Sequence, residues 1–137
     1  PSATRPWQHV LDCLHGYILL AESLSKEPLV FSDAWNFGPV AGDEWTVEAV
    51  VCHVVKGSVQ EGKVKFDPEN IGMKKEHNFL TLDSTKAHKL LGWAPRLKVE
   101  QALDLTKREY RAAAGHATFL RQVNESIQTV FGKGELR

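Results

Sequence analysis

The hydrophobic positions of this chain predict a protein built mainly of helices. Between Gln8 and Ser25, apolar residues recur with the spacing of a single helix face. These residues are Val10, Leu14, Tyr17, Ile18, Ala21 and Leu24. Leu11, Leu19 and Leu20 widen the stripe around most of the helix circumference. Because a helix that is apolar nearly all round needs neighbours on more than one side, we expect it to pack against two surfaces.

The same spacing predicts four further helices. They lie over residues 47–55, 84–91, 99–110 and 118–131. Thr46 and Asp83 are favourable N-caps for the first two of these helices, because their side-chain oxygens can accept a backbone N–H. Gly92 is a favourable C-cap for the second, and Gly115 separates the last two.

Strand signals in the sequence are short and weak. Aromatic residues alternate over residues 34–39, and polar and apolar residues alternate over residues 63–66. Residues 79–82 can also be extended, whereas residues 67–75 contain the Asp-Pro and Ile-Gly steps of a loop. We therefore expect a helix-rich α+β fold of about five helices and two or three short strands, in a single domain over residues 1–137.

Composition and charge narrow the class of protein. The 17 Lys and Arg residues balance the 17 Asp and Glu residues. The chain therefore has no net positive charge that would attract it to nucleic acid or an anionic membrane. No apolar run approaches the ~18 residues of a membrane span, and no signal-peptide pattern is present. Cys13 and Cys52 fall inside apolar helical patterns, which favours two small buried residues over a disulfide or metal pair. These features predict a cytoplasmic protein.

The sequence lacks the motifs of a self-contained active site. No Gly-x-Gly-x-x-Gly or Gly-x-x-Gly-x-x-Gly run follows a predicted strand, and no Walker-type loop is present. Neither Tyr17 nor Tyr110 is followed four residues later by lysine. The six histidines show no i, i+4 pair of the kind that binds a metal. We expect the chain by itself to bind no cofactor and no metal.

The most informative stretch of the sequence lies directly before the first predicted helix. There Arg5, Trp7 and His9 stand close together. The guanidinium fork of arginine matches phosphate oxygens, and an aromatic side chain with a histidine can flank a sugar or a base. On spacing alone, a solvent-facing arginine and a core tryptophan explain the same residues.

A resemblance to a known family favours the binding interpretation. The run Arg5-Pro-Trp-Gln-His-Val-Leu-Asp12 is similar to the segment that follows the Rossmann half of CDP-glucose 4,6-dehydratases, which are extended short-chain dehydrogenases/reductases. The resemblance continues in order through residues 35–39, 82–87 and 91–95, and covers roughly residues 1 to 112. It implies that the chain is the C-terminal part of such an NAD-dependent sugar-nucleotide dehydratase.

The resemblance also implies roles for individual residues. The family's arginine before the helix contacts the nucleotide diphosphate, and Arg5 matches it. Trp7 and His9 match the same motif, and we hypothesise that they contact the substrate. Asn36 and Gly38 match a strand end beside the substrate cleft, where a backbone-turn role explains them at least as well.

Two further segments that the resemblance covers have different implied roles, one in substrate binding and one in the core. Family members carry a loop that closes on the substrate, and this chain departs from its pattern over residues 74–79. Lys74, Lys75 and His77 in this stretch could attract a diphosphate, although a solvated basic loop also explains them. The Leu-Gly-Trp block that ends at Trp93 implies a structural role, with a helix C-cap and Trp93 in the core.

The implied reaction needs residues that lie in the other half of the family's proteins. There the acid, base and tyrosine that act with NAD belong to the N-terminal half. We therefore expect a sugar-nucleotide-binding part that is inactive alone, with a CDP-sugar as a weak ligand and an N-terminal Rossmann half as partner. The alternatives are a stand-alone ligand-binding or protein-interaction module, or a different small enzyme. We also expect Leu11, Leu19 and Leu20, or whichever of them face outward, to form an exposed apolar patch that makes a homodimer. The alternative is that the helix over residues 118–131 covers this surface and the chain stays monomeric.

Overall fold

The computed structural model describes residues 2–66, 78–113 and 116–132. These residues form six helices and one two-stranded sheet. In chain order the elements are β1 (Thr4–Arg5), α1 (Val10–Lys26), α2 (Pro28–Phe31), β2 (Trp45–Thr46), α3 (Val47–Val55), α4 (Thr85–Leu91), α5 (Val99–Ala112) and α6 (His116–Phe131). This helix-rich α+β architecture confirms the predicted fold class. The hydrophobic pattern did not predict α2, because a helix of four residues is too short to carry a stripe.

The two strands join segments that lie far apart in the sequence. Thr4 faces Thr46 and Arg5 faces Trp45 in antiparallel register. On its other side, Thr4 forms a parallel bridge with Phe79. Three chain segments therefore meet at β1, directly before α1 begins.

The strand predicted over residues 34–39 is wrong. Side chains take the backbone hydrogen bonds that a strand ladder would use. Gln8 Nε2 donates to the carbonyl oxygen of Phe37 at 2.7 Å, and the N–H of Gly38 donates to Ser84 Oγ at 2.7 Å. The segment is held in place by α1 and by the start of α4 instead of by a neighbouring strand.

The two other strand predictions also fail. Residues 63–66 form a turn followed by irregular chain, and over residues 79–82 a single bridge at Phe79 replaces the expected strand. The strands that do pair, at β1 and β2, are each two residues long. Local alternation does not reveal such short pairs, because each strand depends on a partner that is distant in the sequence.

Helix α1 lies against two hydrophobic clusters. The first is centred on Phe37 and Trp93, and Leu19 and Leu20 of α1 pack against it. The second joins α5 to α6, and Leu11 packs against it. Trp93 is fully buried, which confirms the core role predicted for it.

The leucines expected to form an exposed patch on α1 face inward, so that prediction is wrong. Leu11, Leu19 and Leu20 are all partly buried against the two clusters. A different set of α1 residues faces outward. These residues are Val10, Leu14, Tyr17, Ile18 and Ala21. They share one side of the helix because residues three or four positions apart lie above one another.

Capping residues fix several helix ends as predicted. Thr46 Oγ1 accepts a backbone N–H of the first turn of α3 at 3.1 Å. Asp83 Oδ1 accepts the N–H of Thr85 at 2.8 Å, although the N-cap position itself is the next residue. Gly92 closes α4 in the left-handed conformation, with φ of 64°, which glycine adopts at little cost.

Both cysteines are free thiols. Cys13 is half-buried, but Cys52 is exposed, so the prediction of two buried cysteines is wrong for Cys52. Two positions separate Cys52 from the buried Val50 on α3, and this spacing turns the thiol to the other side of the helix.

Two of the sequence-based predictions concern residues that the structure does not describe. The loop predicted over residues 67–75 and the break at Gly115 lie outside the described residues. Within the described ranges, no helix combines the length and apolarity needed to cross a membrane.

Candidate functional site

The segment that carries Arg5 and Trp7 is fixed between β2 and α1. Arg5 pairs with Trp45 across the sheet, and its Nη1 donates to the carbonyl oxygen of Thr4 at 2.9 Å. Trp7 Nε1 donates to the carbonyl oxygen of Trp45 at 3.0 Å. Both side chains are partly buried. The structure therefore brings Arg5 and Trp7 together beside Trp45, at the entry to α1.

His9 is buried, and both of its ring nitrogens are engaged. The side chain is 2% exposed. Its Nδ1 accepts the N–H of Leu11 at 3.3 Å, and its Nε2 lies 3.3 Å from Glu109 Oε2. The neutral tautomer with its proton on Nε2 satisfies both contacts. His9 therefore caps α1 and ties it to α5, and in this structure its ring faces the interior.

A cleft with a volume of about 760 Å³ opens beside this segment. Pro6, between Arg5 and Trp7, forms part of one wall. The other walls come from the loop between Gly38 and Glu44 and from the chain around the start of α4. The volume lies in the range of small-molecule sites. Its polar lining residues are Glu44, Thr81, Asp83, Ser84, Thr85, His88 and Lys89.

The cleft contains groups of both charge signs. Hydrogen bonds from Thr85 hold the pKa of the Asp83 carboxyl below its usual range, so this group is ionised at neutral pH. Lys89 also favours the ionised form. Because an ionised carboxylate accepts hydrogen bonds from hydroxyl groups, the cleft has acceptors suited to a polyhydroxylated molecule.

Asn36 and Gly38 have structural roles at the edge of the cleft. Asn36 Nδ2 donates to the carbonyl oxygen of Asp83 at 3.3 Å. A Cβ atom on Gly38 would lie 2.7 Å from Leu82 Cβ, so the two chain segments approach as closely as they do only because glycine has no side chain. These contacts support the backbone role that the sequence left open.

The residues predicted to bind a ligand only partly coincide with the cleft. The Arg5–His9 segment contributes Pro6 to the described lining, while Arg5 and Trp7 stand on either side of that residue. Lys74, Lys75 and His77 lie outside the described residues. Ligand contact by Arg5, Trp7 and His9 therefore stays a prediction.

Sequence reasoning missed the residues that line the cleft. The sequence identifies Asp83 only as a helix cap and assigns no role to Glu44, His88 or Lys89. The available signal was the position of Asp83 directly before a predicted helix, since a helix cap at the surface can also face a cleft. In the described ranges, no three His, Cys, Asp or Glu side chains are arranged to hold a metal ion.

Comparison with known proteins connects this geometry to a family. No family model matches the chain. Over 103 residues, which are 75% of the chain, it is 42% identical to a CDP-glucose 4,6-dehydratase of Salmonella typhimurium strain LT2. The chain is a relative of this dehydratase. The predicted resemblance is thereby confirmed, and the match is consistent with a C-terminal portion. The matched stretch spans 28% of the dehydratase's length.

The strand-to-helix junctions of this dehydratase-like chain do not suit a dinucleotide. Among the described elements, β1 leads into α1 through Pro6, Trp7, Gln8 and His9, and β2 runs directly into α3. A dinucleotide cradle uses glycines at such a junction, so that backbone N–H groups can approach the pyrophosphate. The described residues therefore do not fit NAD, and no step of a reaction through NAD is assigned to them.

Proposed function

We propose that this chain is the C-terminal, sugar-nucleotide-binding part of a CDP-glucose 4,6-dehydratase-like protein. The observation that carries the proposal is the 42% identity to a dehydratase over 103 residues. The cleft of about 760 Å³ beside the Arg5–Trp7 segment supports it. The ligand in this proposal is a CDP-sugar, held by the chain as a single domain.

The proposed binding mode assigns the diphosphate to Arg5. A guanidinium group carries five N–H donors in a fork that matches phosphate oxygens, and in this proposal the fork of Arg5 binds the diphosphate. Trp7 is anchored through its indole nitrogen and offers a flat face to the sugar or the base. His9 supports the site by ordering the start of α1. Lys74, Lys75 and His77 enter the proposal from the sequence alone, as further cations for the diphosphate.

The proposed role of the isolated chain is binding without catalysis. The dehydratase reaction requires NAD, and the junctions after β1 and β2 do not offer the glycines of a dinucleotide cradle. An affinity no tighter than roughly millimolar, about 4 kcal/mol, follows because half a cleft leaves much of the ligand in water. Catalysis would then depend on a partner that supplies the NAD-binding half.

A second candidate function is a stand-alone ligand-binding or protein-interaction module. The outward-facing apolar residues of α1 favour it, because such a surface is typical of protein interfaces.

The partners in our proposal are an N-terminal Rossmann half and, when that half is absent, a second copy of the chain in a weak homodimer. The two free cysteines suit a reducing cytoplasm, where we place the protein.

Titration with CDP, followed by NMR of the labelled chain, tests the proposed site. We expect the amide signals near Arg5 and the indole signal of Trp7 to shift at millimolar CDP. Arg5→Ala should abolish these shifts, and Arg5→Lys should weaken them because lysine lacks the fork. Arg108→Ala, at an exposed arginine on α5, is the matched control and should leave them unchanged.

Two outcomes of the titration would contradict the proposal. One is the absence of any shift at several millimolar CDP with a chain whose circular dichroism shows folded helices. The other is an equal loss of the shifts in Arg5→Ala and Arg108→Ala, because that result would indicate nonspecific attraction of the diphosphate.

A further inference from the structure

One edge of the cleft is formed by the start of α4. Thr85, His88 and Lys89 lie three or four positions apart on this helix, so their side chains share one face of it. All three line the cleft, and Asp83 lines it directly before the helix begins. We call these four residues the polar edge of the cleft. The proposed contacts with the diphosphate and the base use none of them.

Asp83 is a hydrogen-bond acceptor with a fixed orientation. Its Oδ1 accepts the N–H of Thr85 at 2.8 Å, and the residue is exposed. The hydrogen bonds from Thr85 hold the pKa of the Asp83 carboxyl below its usual range, so the group is ionised at neutral pH. A carboxylate has about four lone-pair sites, so Asp83 can accept further hydrogen bonds from a ligand. An acceptor that is already oriented loses little conformational entropy when the ligand binds.

Lys89 supplies a donor near this acceptor. Its positive charge favours the ionised form of Asp83, which indicates that the two groups lie close together. An ammonium group can donate three hydrogen bonds, and a hydroxyl group both donates and accepts. Two neighbouring hydroxyls of a sugar can therefore donate to Asp83 and accept from Lys89 at the same time.

The loop wall of the cleft combines apolar surface with a second acceptor. Pro39, Val40 and Ala41 line it. Glu44 lines it too, and its Oε1 accepts the N–H of Gly42 at 3.1 Å, which holds the carboxylate in place. Small-molecule sites usually combine apolar surface with a few placed polar groups. Because a sugar ring presents C–H groups as well as hydroxyls, both parts of this wall suit it.

The charges of the cleft decide which sugars fit. Asp83 and Glu44 contribute two carboxylates, whereas Lys89 contributes one ammonium. An anionic group placed among them would meet more like charge than opposite charge, and such a juxtaposition is how a site rejects a ligand. The cleft therefore suits an uncharged hexose and not a uronic acid, and the diphosphate stays outside it at Arg5.

Pro6 connects the cleft to the proposed diphosphate contact. It lines the cleft and directly follows Arg5, and consecutive Cα atoms are about 3.8 Å apart. In a nucleotide sugar the hexose is bonded directly to the diphosphate. A diphosphate held at Arg5 therefore places the hexose beside the Pro6 wall of the cleft.

We propose that the cleft is the hexose subsite of this chain and that Asp83 determines its specificity, by accepting hydrogen bonds from hydroxyl groups of an uncharged hexose. Lys89 donates to a neighbouring hydroxyl. This inference rests on the proposed function, since the hexose is that of a CDP-sugar bound at Arg5. Free carbohydrate is the other source of a hexose, and the experiment separates the two sources.

Titration of the full chain with CDP-glucose, CDP and glucose, followed by NMR, tests the hexose subsite. We expect CDP-glucose to shift the amide signals of Thr85 and Lys89 and to bind about 5-fold tighter than CDP, the effect of one or two hydrogen bonds. Neither CDP nor glucose at the same concentration should shift these signals. A CDP-linked glucuronic acid should bind no tighter than CDP, because the two carboxylates repel it.

Two substitutions test the residues of the polar edge. Asp83→Asn keeps an acceptor oxygen for Thr85 but removes the charge, and it should lower the affinity ratio of CDP-glucose to CDP from about 5 to near 1. Lys89→Gln, at an exposed position, should lower the same ratio about 2-fold. Glu48→Gln is the matched control, because Glu48 is exposed on α3 and outside the described lining of the cleft. It also removes one negative charge, and it should leave the ratio unchanged.

The other outcomes separate this inference from the proposed function. Equal affinities for CDP-glucose and CDP, or a ratio that Asp83→Asn leaves unchanged, would overturn the hexose subsite, while CDP shifts that depend on Arg5 would still support the proposed function. Glucose shifts as large as those of CDP-glucose would also overturn it and make the cleft a site for free carbohydrate. Tighter binding of the CDP-linked glucuronic acid would refute the selection of an uncharged hexose. Cleft shifts with CDP-glucose that persist in Arg5→Ala would overturn the diphosphate contact alone.

Discussion

The indole nitrogen of Trp93 donates a hydrogen bond to the backbone carbonyl of Asp12 at 3.0 Å, and both residues are fully buried. The carboxylate of Asp12 also accepts the N–H groups of Arg96 at 2.9 Å and of Leu97 at 3.4 Å. One residue of α1 therefore holds the whole connection between α4 and α5 against the core. This connection also supplies Ala94 and Pro95 to the wall of the cleft.

Replacement of Asp12 should destabilise the fold strongly. In Asp12→Ala, two backbone N–H groups lose their acceptor, and we expect the free energy of unfolding to fall by about 3 kcal/mol. Asp12→Asn keeps one acceptor oxygen and should cost less. Urea unfolding followed by circular dichroism measures both values. Equal stability of Asp12→Ala and the parent chain would show that the connection does not depend on this carboxylate.

The ion pair between Asp33 and Lys86 should make stability depend on pH. A hydrogen bond from Lys86, with a second from the N–H of Ala34, holds the pKa of the Asp33 carboxyl below its usual range. The pKa of Asp33 is lower in the folded chain than in the unfolded chain, so its ionised form stabilises the fold. This stabilisation is fully present above the ordinary aspartate pKa of about 3.9 and is lost as pH falls through the lower pKa of the folded chain. Asp33→Asn should therefore lower the melting temperature at pH 7 and have no effect in strong acid.

A double-mutant cycle identifies the partner in this pH effect. In a Lys86→Met background, Asp33→Asn should change the melting temperature less at pH 7 than it does in the parent chain. The same variant removes the Lys86 ammonium from its position 4.4 Å from the Trp35 ring centroid, so its own effect includes a lost cation–π contact. An Asp33→Asn effect that is unchanged by Lys86→Met would contradict the assignment to this pair.

Self-association of the isolated chain should depend on Ile18 and not on Leu19. We expect partial dimerisation in light scattering at about 50 µM, a concentration at which a contact of about 6 kcal/mol is half formed. Ile18→Glu should give a monomer with a nearly unchanged melting temperature. Leu19→Glu should instead destabilise the chain by about 3 kcal/mol, because Leu19 packs against the cluster around Trp93. A monomer mass for the parent chain at this concentration would refute the homodimer.

The purified 137-residue chain should not dehydrate CDP-glucose. We expect no 4-keto product by absorbance in the presence of NAD and CDP-glucose, because the described junctions lack the glycines of a dinucleotide cradle. Addition of the N-terminal part of the Salmonella typhimurium dehydratase provides the comparison. Turnover by the pure chain would contradict the proposal of a part that is inactive alone.

Features that depend on a single turn of chain were predictable from the sequence. The apolar stripe over residues 99–110 predicted α5, and its members Val99 and Ala102 are buried. The stripe was wrong for Tyr110, which is 80% exposed, and it did not include the buried Leu105. The caps at Thr46 and Gly92 were correct for the same reason, since a cap contacts residues of its own helix. Trp93 was assigned to the core from its position after a helix C-cap, and it is fully buried.

The candidate site shows where local reasoning stops. The sequence placed Arg5, Trp7 and His9 next to one another, but the partner that turns His9 inward is Glu109, on a different helix. The cleft wall formed by Asp83 depends on the approach of Gly38, which is far away in the sequence. Neither contact leaves a signal in the pattern around the residue itself.

The sequence by itself determined that this chain is mostly helical, where most of its helices end, and that it resembles part of a dehydratase. Those properties follow from helix periodicity, capping and a continuous motif, and each of them is local along the chain. Only the tertiary structure decided which side of α1 is exposed, because the sequence marks nearly all of that helix as apolar. Leu19 is covered and Ile18 is not, since burial depends on which distant segments pack against each side. The same reason explains how Asp43 caps α5 by accepting the N–H of Val99 at 2.7 Å from a separate loop.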